Sequence, residues 1–377
     1  MTKKNSIIIL VVMLVALCFG GCSSNKKDAN VDGNNVGNET GNVPSVMLLV
    51  PGSLGDKSFF DSANEGLKLV SEKYGCNTKV IEMGTDQTKF AATFEDVIDE
   101  GWDIIITGGI NVSPILVEIA EEYPEQKFIL YDESVDYAAG DYDNIYCMTY
   151  KSYEGAYLGG ILAALTTTST EMPHANESKA IGFMGGFDIP LINDHLVGYI
   201  QGAREIVPDI KVGVGYSNSF TDAAMGKEIG LSLYNSGIDI VYQAAGGAGL
   251  GVLDAAKEAN AYAIGTDSDQ SALFANDEDK ANAILTSMMK RVDISIGIAI
   301  DKYINGSLPF GTCETFGIAE GCIELTINDW YNTNVPEDIR AKVAEYQEKI
   351  SSGEIEVLSA FDMSDDEVQQ LKDSVQM

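Results

Sequence analysis

Histidine is almost missing from this chain: His174 and His195 are the only two in 377 residues. So few imidazoles leave a poor ligand supply for zinc and little room for Ser-His-Asp catalysis, and no GxSxG elbow occurs. Basic residues are also scarce, 24 against 57 acidic, for a formal net charge of −33. A surface so acidic repels phosphate backbones and anionic headgroups, which argues against nucleic-acid binding. Cysteine is sparse and forms no CxxC, so the fold is not a disulfide scaffold. Cys313 and Cys322 flank a short apolar segment, spaced either to pair outside the cell or to stay as thiols. The two tryptophans, Trp102 and Trp330, follow no strand tip.

Long apolar runs are lacking too. The one near the start, Ile7–Phe19, is too short for the roughly 20 residues that span a bilayer. It follows Lys3 and Lys4 and ends in Gly20-Gly21-Cys22, the pattern of a bacterial lipoprotein signal peptide over residues 1–21. Cys22 is then the acylated mature N-terminus; a plain secretion signal is the blander alternative. In both cases the protein works outside the cytoplasm, and in the first it is anchored to the cell membrane. Residues 22–44, rich in Asn, Gly, Asp and Ser, read as a flexible tether.

What remains is long enough for two lobes. From Ser45 short β-rich runs alternate with amphipathic helical stretches. Strands are expected at Val46–Val50, Lys79–Met83, Ile104–Thr107, Phe128–Tyr131 and Ile145–Thr149, then at Ala180–Met184, Lys211–Tyr216, Ile238–Tyr242 and Ala261–Gly265. Helices are expected between them, among them Tyr153–Leu165, Asn193–Val207 and Leu250–Ala259. Apolar runs alternating with helices imply an α/β fold with parallel sheets covered on both faces.

Ligands of doubly wound sheets sit beyond the carboxyl ends of the strands. Those ends share a character here: Gly55-Asp56-Lys57-Ser58-Phe59-Phe60 after the first strand, Asp132 after the fourth, and Gly185-Gly186-Phe187-Asp188 in the second series. Phe220, Gly246-Gly247 and Thr266-Asp267-Ser268-Asp269 follow later strands. Such tips make a polar site with aromatic faces. The glycines at Gly247-Ala248-Gly249-Leu250-Gly251-Val252 miss GxGxxG, so a dinucleotide site is not indicated. Asp269 with Gln270 reads as a helix cap, and Asp267 as a ligand contact. His195, at a polar helical position, reads as a surface or helix-start side chain rather than a base. Lys290 closes the strand-like run Ile284–Met289, where a lone lysine usually forms a salt bridge.

Together, Gly55–Phe59, Tyr153-Glu154-Gly155-Ala156-Tyr157-Leu158-Gly159-Gly160, Gly185-Gly186, Phe220-Thr221-Asp222, Ala245–Val252, Ile264–Gln270 and Thr286–Lys290 resemble the basic membrane protein (BMP) lipoprotein family. Its members are the nucleoside-binding components of ABC transporters. The resemblance, from about Val46 to Gly321, implies a type I periplasmic-binding-protein fold with crossings near Thr149–Tyr153, Asp269–Ala283 and Gly311–Gly321. Lobe I would then comprise residues 45–150 plus 284–312, and lobe II residues 151–283 plus 313–377. It implies a purine between Phe59 or Phe60 and Phe220, a base-binding carboxylate at Asp132, and ribose on Asp267 and Lys290. Asp56, Ser58, Gly186, Phe187, Gly246 and Gly247 complete the expected lining. Phe60 and Asn64 stand where the family usually has asparagine and tryptophan, so an amide for the base edge is lost. The expected protein is a non-enzymatic monomer with no cofactor or metal, whose partners are a nucleoside and a membrane permease. A ribose-type sugar receptor of the same fold and a surface nucleoside hydrolase are the alternatives.

Overall fold

A computed structural model describes residues 43–377. The expected signal peptide, Cys22 and nearly all of the expected tether lie outside them. The first half runs β1 (Val46–Val50), α1 (Phe59–Tyr74), β2 (Thr78–Glu82), α2 (Phe90–Asp99), β3 (Ile104–Gly108), α3 (Ser113–Glu122), β4 (Lys127–Tyr131) and β5 (Ile145–Tyr150). The second runs α4 (Ser152–Thr167), β6 (Ala180–Gly185), α5 (Pro190–Ile206), β7 (Lys211–Tyr216), α6 (Ala223–Asn235), β8 (Ile240–Ala244), α7 (Gly246–Ala259) and β9 (Tyr262–Thr266). Then come α8 (Gln270–Leu273), α9 (Glu278–Ala283), β10 (Ile284–Lys290), α10 (Val292–Ile304), β11 (Thr312–Phe316) and β12 (Ile323–Leu325). Helices α11 (Asp329–Asn334), α12 (Glu337–Ser351) and α13 (Asp365–Val375) close the chain.

The strands form two six-stranded sheets, in the orders β11-β5-β4-β3-β1-β2 and β12-β10-β9-β8-β6-β7. The expected α/β class with two parallel-sheet lobes is what the chain adopts. Every pair is parallel except β10 with β12. Strands β1, β3, β8 and β9 are buried along their whole length, which explains their near-continuous apolar composition. Read by position, β1 to β5 correspond one by one to β6 to β10, so the lobes repeat one design.

Three segments cross between the sheets. After β5 the chain enters α4, which packs on α5 and on β6, β8 and β10; after β10 it enters α10, which packs on α1; after β11 it returns to β12. Backbone bonds staple these crossings together, Lys151 N to Phe316 O and Arg291 N to Cys322 O, both 2.8 Å. The expected lobe boundaries need correcting. Residues 284–290 form β10 in the second sheet, and β11, at 312–316, belongs to the first. The middle crossing therefore falls at Lys290–Val292, not within Asp269–Ala283. A buried apolar strand looks alike in either sheet, and its neighbour is a long-range choice. Cys313 and Cys322 are both free thiols; one lies on β11, and the other beyond the crossing that leads to β12.

Candidate functional site

Two aspartates sit at corresponding places just past β4 and β9. Asp132 and Asp267 both have left-handed backbone, φ 60° and 67°. Both amides donate to a methionine carbonyl of the next strand, Asp132 to Met148 at 2.7 Å and Asp267 to Met288 at 2.8 Å. Left-handed non-glycine residues are uncommon, and aspartate tolerates the conformation better than most. Unfavourable backbone at such a point is a feature of functional sites.

Lys290, the last residue of β10, reaches across to Asp132 and donates to both carboxylate oxygens, at 3.0 and 2.9 Å. The pair is almost wholly buried, with side-chain exposures of 5% and 6%. Burial works against the lysine's charge, and the carboxylates of Asp132 and Asp267 outweigh it, so the Lys290 pKa is raised. Burial pushes Asp132 up to about 6 against the pull of Lys290. On the other flank, Ser58 donates to Asp267 Oδ2 at 2.7 Å, while Asp267 Oδ1 is buried with no partner among the described residues. The loop after β1 and the segment after β9 hold each other further. Ser268 Oγ donates to Ser58 O at 3.1 Å, and Gln270 Nε2 to Lys57 O at 3.3 Å.

Aromatic rings stand at strand ends in each lobe, those of the first lobe beside the charged cluster. Phe59 and Phe60 begin α1, with ring centroids 5.3 Å apart. Phe59 also packs on Tyr131 at 5.1 Å and lies 5.5 Å from Lys290 Nζ. In the second lobe Phe220 meets Phe187 edge to face at 4.9 Å. Gly186 admits the Phe220 ring, since a Cβ there would strike it, and the amide of Ala248 donates to the Phe220 carbonyl. Gly246 and Gly247 lie along that same carbonyl, where a Cβ would come to 3.2 and 3.3 Å. Their observed contacts are thus with Phe220, which they seat.

Several readings shift. Asp56 was expected in the lining, and its carboxylate is already taken by the amides of Ser58, Phe60 and Asp61. It caps the start of α1, and burial pushes its pKa up to about 6. Lys290 was expected to share ribose binding with Asp267, and its two observed bonds go to Asp132. His195 is not a surface side chain. It is 2% exposed, bonds Tyr242 at 2.7 Å through Nδ1, and is held neutral by burial and by the charge of Lys290. Helix α5 is covered both by α4 and by the segment around Ala360, so its polar positions are buried as well. Asp269 caps α8 as expected, accepting from Ala272 N at 3.1 Å. Sequence reasoning overlooked Tyr131, which ends an apolar strand, and read Gln270 only as part of a helix cap, whereas its side chain reaches Lys57 O in the first lobe.

A cavity of 860 Å³ opens elsewhere on the second lobe, lined by His174, Tyr262, Asn282, Asn332 and Arg340 among others, and includes none of these residues. No cluster of metal-ligating side chains occurs among the described residues.

The family model for PnrA-like ABC transporter substrate-binding proteins, Bmp, matches residues 43–359. The chain belongs to this family. It is 29% identical to the "ABC transporter nucleoside-binding protein BmpA" of Lactococcus lactis subsp. cremoris, over 95% of this chain and 99% of that one. It is also 29% identical to the "CD4+ T-cell-stimulating antigen" of Listeria innocua, over 94% and 99%. Among solved structures, an ABC transporter solute-binding protein of Aeropyrum pernix K1 superposes with a TM-score of 0.75 at 25% identity, covering 88% of this chain and 98% of that one. This Bmp protein thus has the periplasmic-binding-protein fold of ABC solute-binding proteins, and a solute-binding role follows from its family.

Proposed function

We propose that this Bmp protein binds a purine nucleoside between its two lobes and delivers it to a membrane permease without altering it. The observation that carries the reading is the buried Asp132–Lys290–Asp267 cluster, with the Phe59 ring beside Lys290 and an unpartnered carboxylate oxygen on Asp267. A carboxylate accepts two vicinal hydroxyl protons, a lysine donates to hydroxyl oxygens, and phenylalanine faces take a heterocycle. The name of the Lactococcus relative agrees with this reading. Trp102 precedes β3 and Trp330 lies in α11, so neither tryptophan follows the carboxyl end of a parallel strand, where a sugar would stack.

In this reading Asp267 holds the ribose. Asp267→Ala is expected to weaken a purine ribonucleoside about 10- to 150-fold, the equivalent of roughly 1.5–3 kcal/mol for bonds to a charged group. The 2′-deoxynucleoside should bind wild type much more weakly and lose little on the same substitution. Calorimetric titration of both ligands on both proteins forms the full cycle. Equal ribo and deoxy affinities in wild type would take the ribose off Asp267. Release of free base on prolonged incubation would instead make the protein a hydrolase.

We also infer that a diacyl anchor on Cys22 holds the protein at the membrane, its motive being Gly20-Gly21-Cys22 after a short apolar run. Cys22→Ala should move the protein from the membrane fraction to the medium. A variant still membrane-bound with normal N-terminal cleavage would count against the anchor.

A further inference from the structure

Two polar atoms at these strand ends are buried without a hydrogen-bond partner among the described residues: Asp267 Oδ1 and the hydroxyl of Tyr131. The first is accounted for above; the second has no assigned work. Tyr131 is the final residue of β4, directly before Asp132, and is fully buried. Its ring is fixed on two sides, by Gly108, where a Cβ would collide with it, and by Phe59. At the corresponding place in the second lobe stands Thr266, whose hydroxyl does have a partner, the carbonyl of Gln243. The Tyr131 hydroxyl is therefore an exception to the way this fold treats the position.

An unpaired buried hydroxyl is unfavourable and calls for an explanation; at a strand end beside Asp132, a bonding partner from outside the chain is one. Burial and the carboxylates of Asp56 and Asp132 push the Tyr131 pKa up, so the hydroxyl keeps its proton and is available as a donor. The rings expected to stack on a base, and the carboxylate expected to bind it, are poor readers of its edge. The rings of Phe59, Phe60, Phe187 and Phe220 offer no hydrogen bond, and Asp132 is engaged at both oxygens by Lys290. We propose that the Tyr131 hydroxyl determines specificity in this site by donating a hydrogen bond to a ring-nitrogen or carbonyl acceptor of the bound base. The assignment rests on the nucleoside reading and names the group that discriminates among bases.

Tyr131→Phe removes one oxygen and keeps the ring packing. Wild type and variant would be titrated with inosine, guanosine and adenosine, and with analogues of the tightest of these that each lack one base acceptor. Thermal unfolding of both ligand-free proteins is the companion measurement. The variant should unfold at the same or a higher temperature, because it sheds an unpaired group. It should bind the tightest nucleoside about 3- to 10-fold more weakly, as expected for one neutral hydrogen bond. With one acceptor-deleted analogue the two proteins should bind equally. Unchanged affinity for every nucleoside, an equal loss for every analogue, or lower stability of the free variant would each overturn the assignment. A wild type that binds no nucleoside would instead sink the nucleoside reading itself, and this assignment with it.

Discussion

Lys290→Met is expected to cost about 3–5 kcal/mol of folding stability at neutral pH, the usual loss when one partner of a buried ion pair is removed. The substitution keeps most of the side-chain volume and deletes the cation. Both oxygens of Asp132 bond Lys290, and Asp267 lies within its field, so two buried carboxylates lose their compensation together. The pH dependence has a definite sign. Burial already raises Asp132 to about 6 in the folded protein, above an unfolded aspartate, and losing the lysine raises it further. A group with a raised folded pKa costs stability above that pKa and is relieved as the pH falls through it. Urea unfolding of Lys290→Met should therefore show its largest deficit near pH 8 and a much smaller one near pH 5.5. Neutralising both partners, as in Lys290→Met with Asp132→Asn, should recover part of the stability and none of the ligand affinity, because asparagine tolerates the left-handed backbone and removes one uncompensated charge while that of Asp267 remains. A single variant as stable as wild type at pH 8 would mean that the pair is solvated in solution.

How far the sequence carried depends on the range of the interaction that decides each feature. Val46–Val50 and Lys211–Tyr216 were read to the residue, because an apolar or β-rich run bounded by turn residues settles a strand locally. Helix starts were less legible. Helix α7 begins at Gly246, whereas propensity placed its start at Leu250, since glycines read as loop. They are glycine because the space is already occupied, not because the chain turns there: a Cβ at Gly249 would strike the Gln243 side chain, and one at Gly251 the Ala223 carbonyl. The sheet that β10 joins and the burial of His195 depend on partners far along the chain, which periodicity does not encode. Asp267 and Lys290 were legible as strand-end polar residues of a βα series. Tyr131 was not, because a tyrosine ending a buried strand looks like core until its hydroxyl is found without a partner.

Gly202→Ala and Gly160→Ala are expected to cost about 3 kcal/mol each, at or above the upper end of ordinary overpacking, while their neighbour Gly159→Ala should cost nothing. Helices α4 and α5 meet backbone to backbone. A Cβ on Gly202 would overlap the Tyr157 carbonyl, and one on Gly160 the Tyr199 carbonyl, with Ala203 N only 2.7 Å away. These neighbours are main chain inside helices and have no rotamer to change. The helices would have to separate, exposing a contact in which Ile161, Leu196, Ile200 and Ala203 are fully buried. Gly159 lies in the same helix with a different outlook: a Cβ there finds Ile264 at 3.8 Å and Tyr199 at 3.9 Å, ordinary contact. Alanine is favoured over glycine inside a helix by roughly 0.5–1 kcal/mol, so Gly159→Ala should be neutral or stabilising. Helix α4 also begins beside Lys151, whose amide is bonded to Phe316 O at the crossing between sheets. Displacing it should loosen the lobes' mutual placement, and the damaging variants should lose ligand affinity as well as stability. Chemical unfolding and ligand titration of the three single variants separate two causes. If Gly159→Ala were as harmful as Gly202→Ala, the glycines would be serving backbone flexibility in α4 and α5; a harmless Gly159→Ala beside two damaging neighbours identifies them as the points where the helices touch.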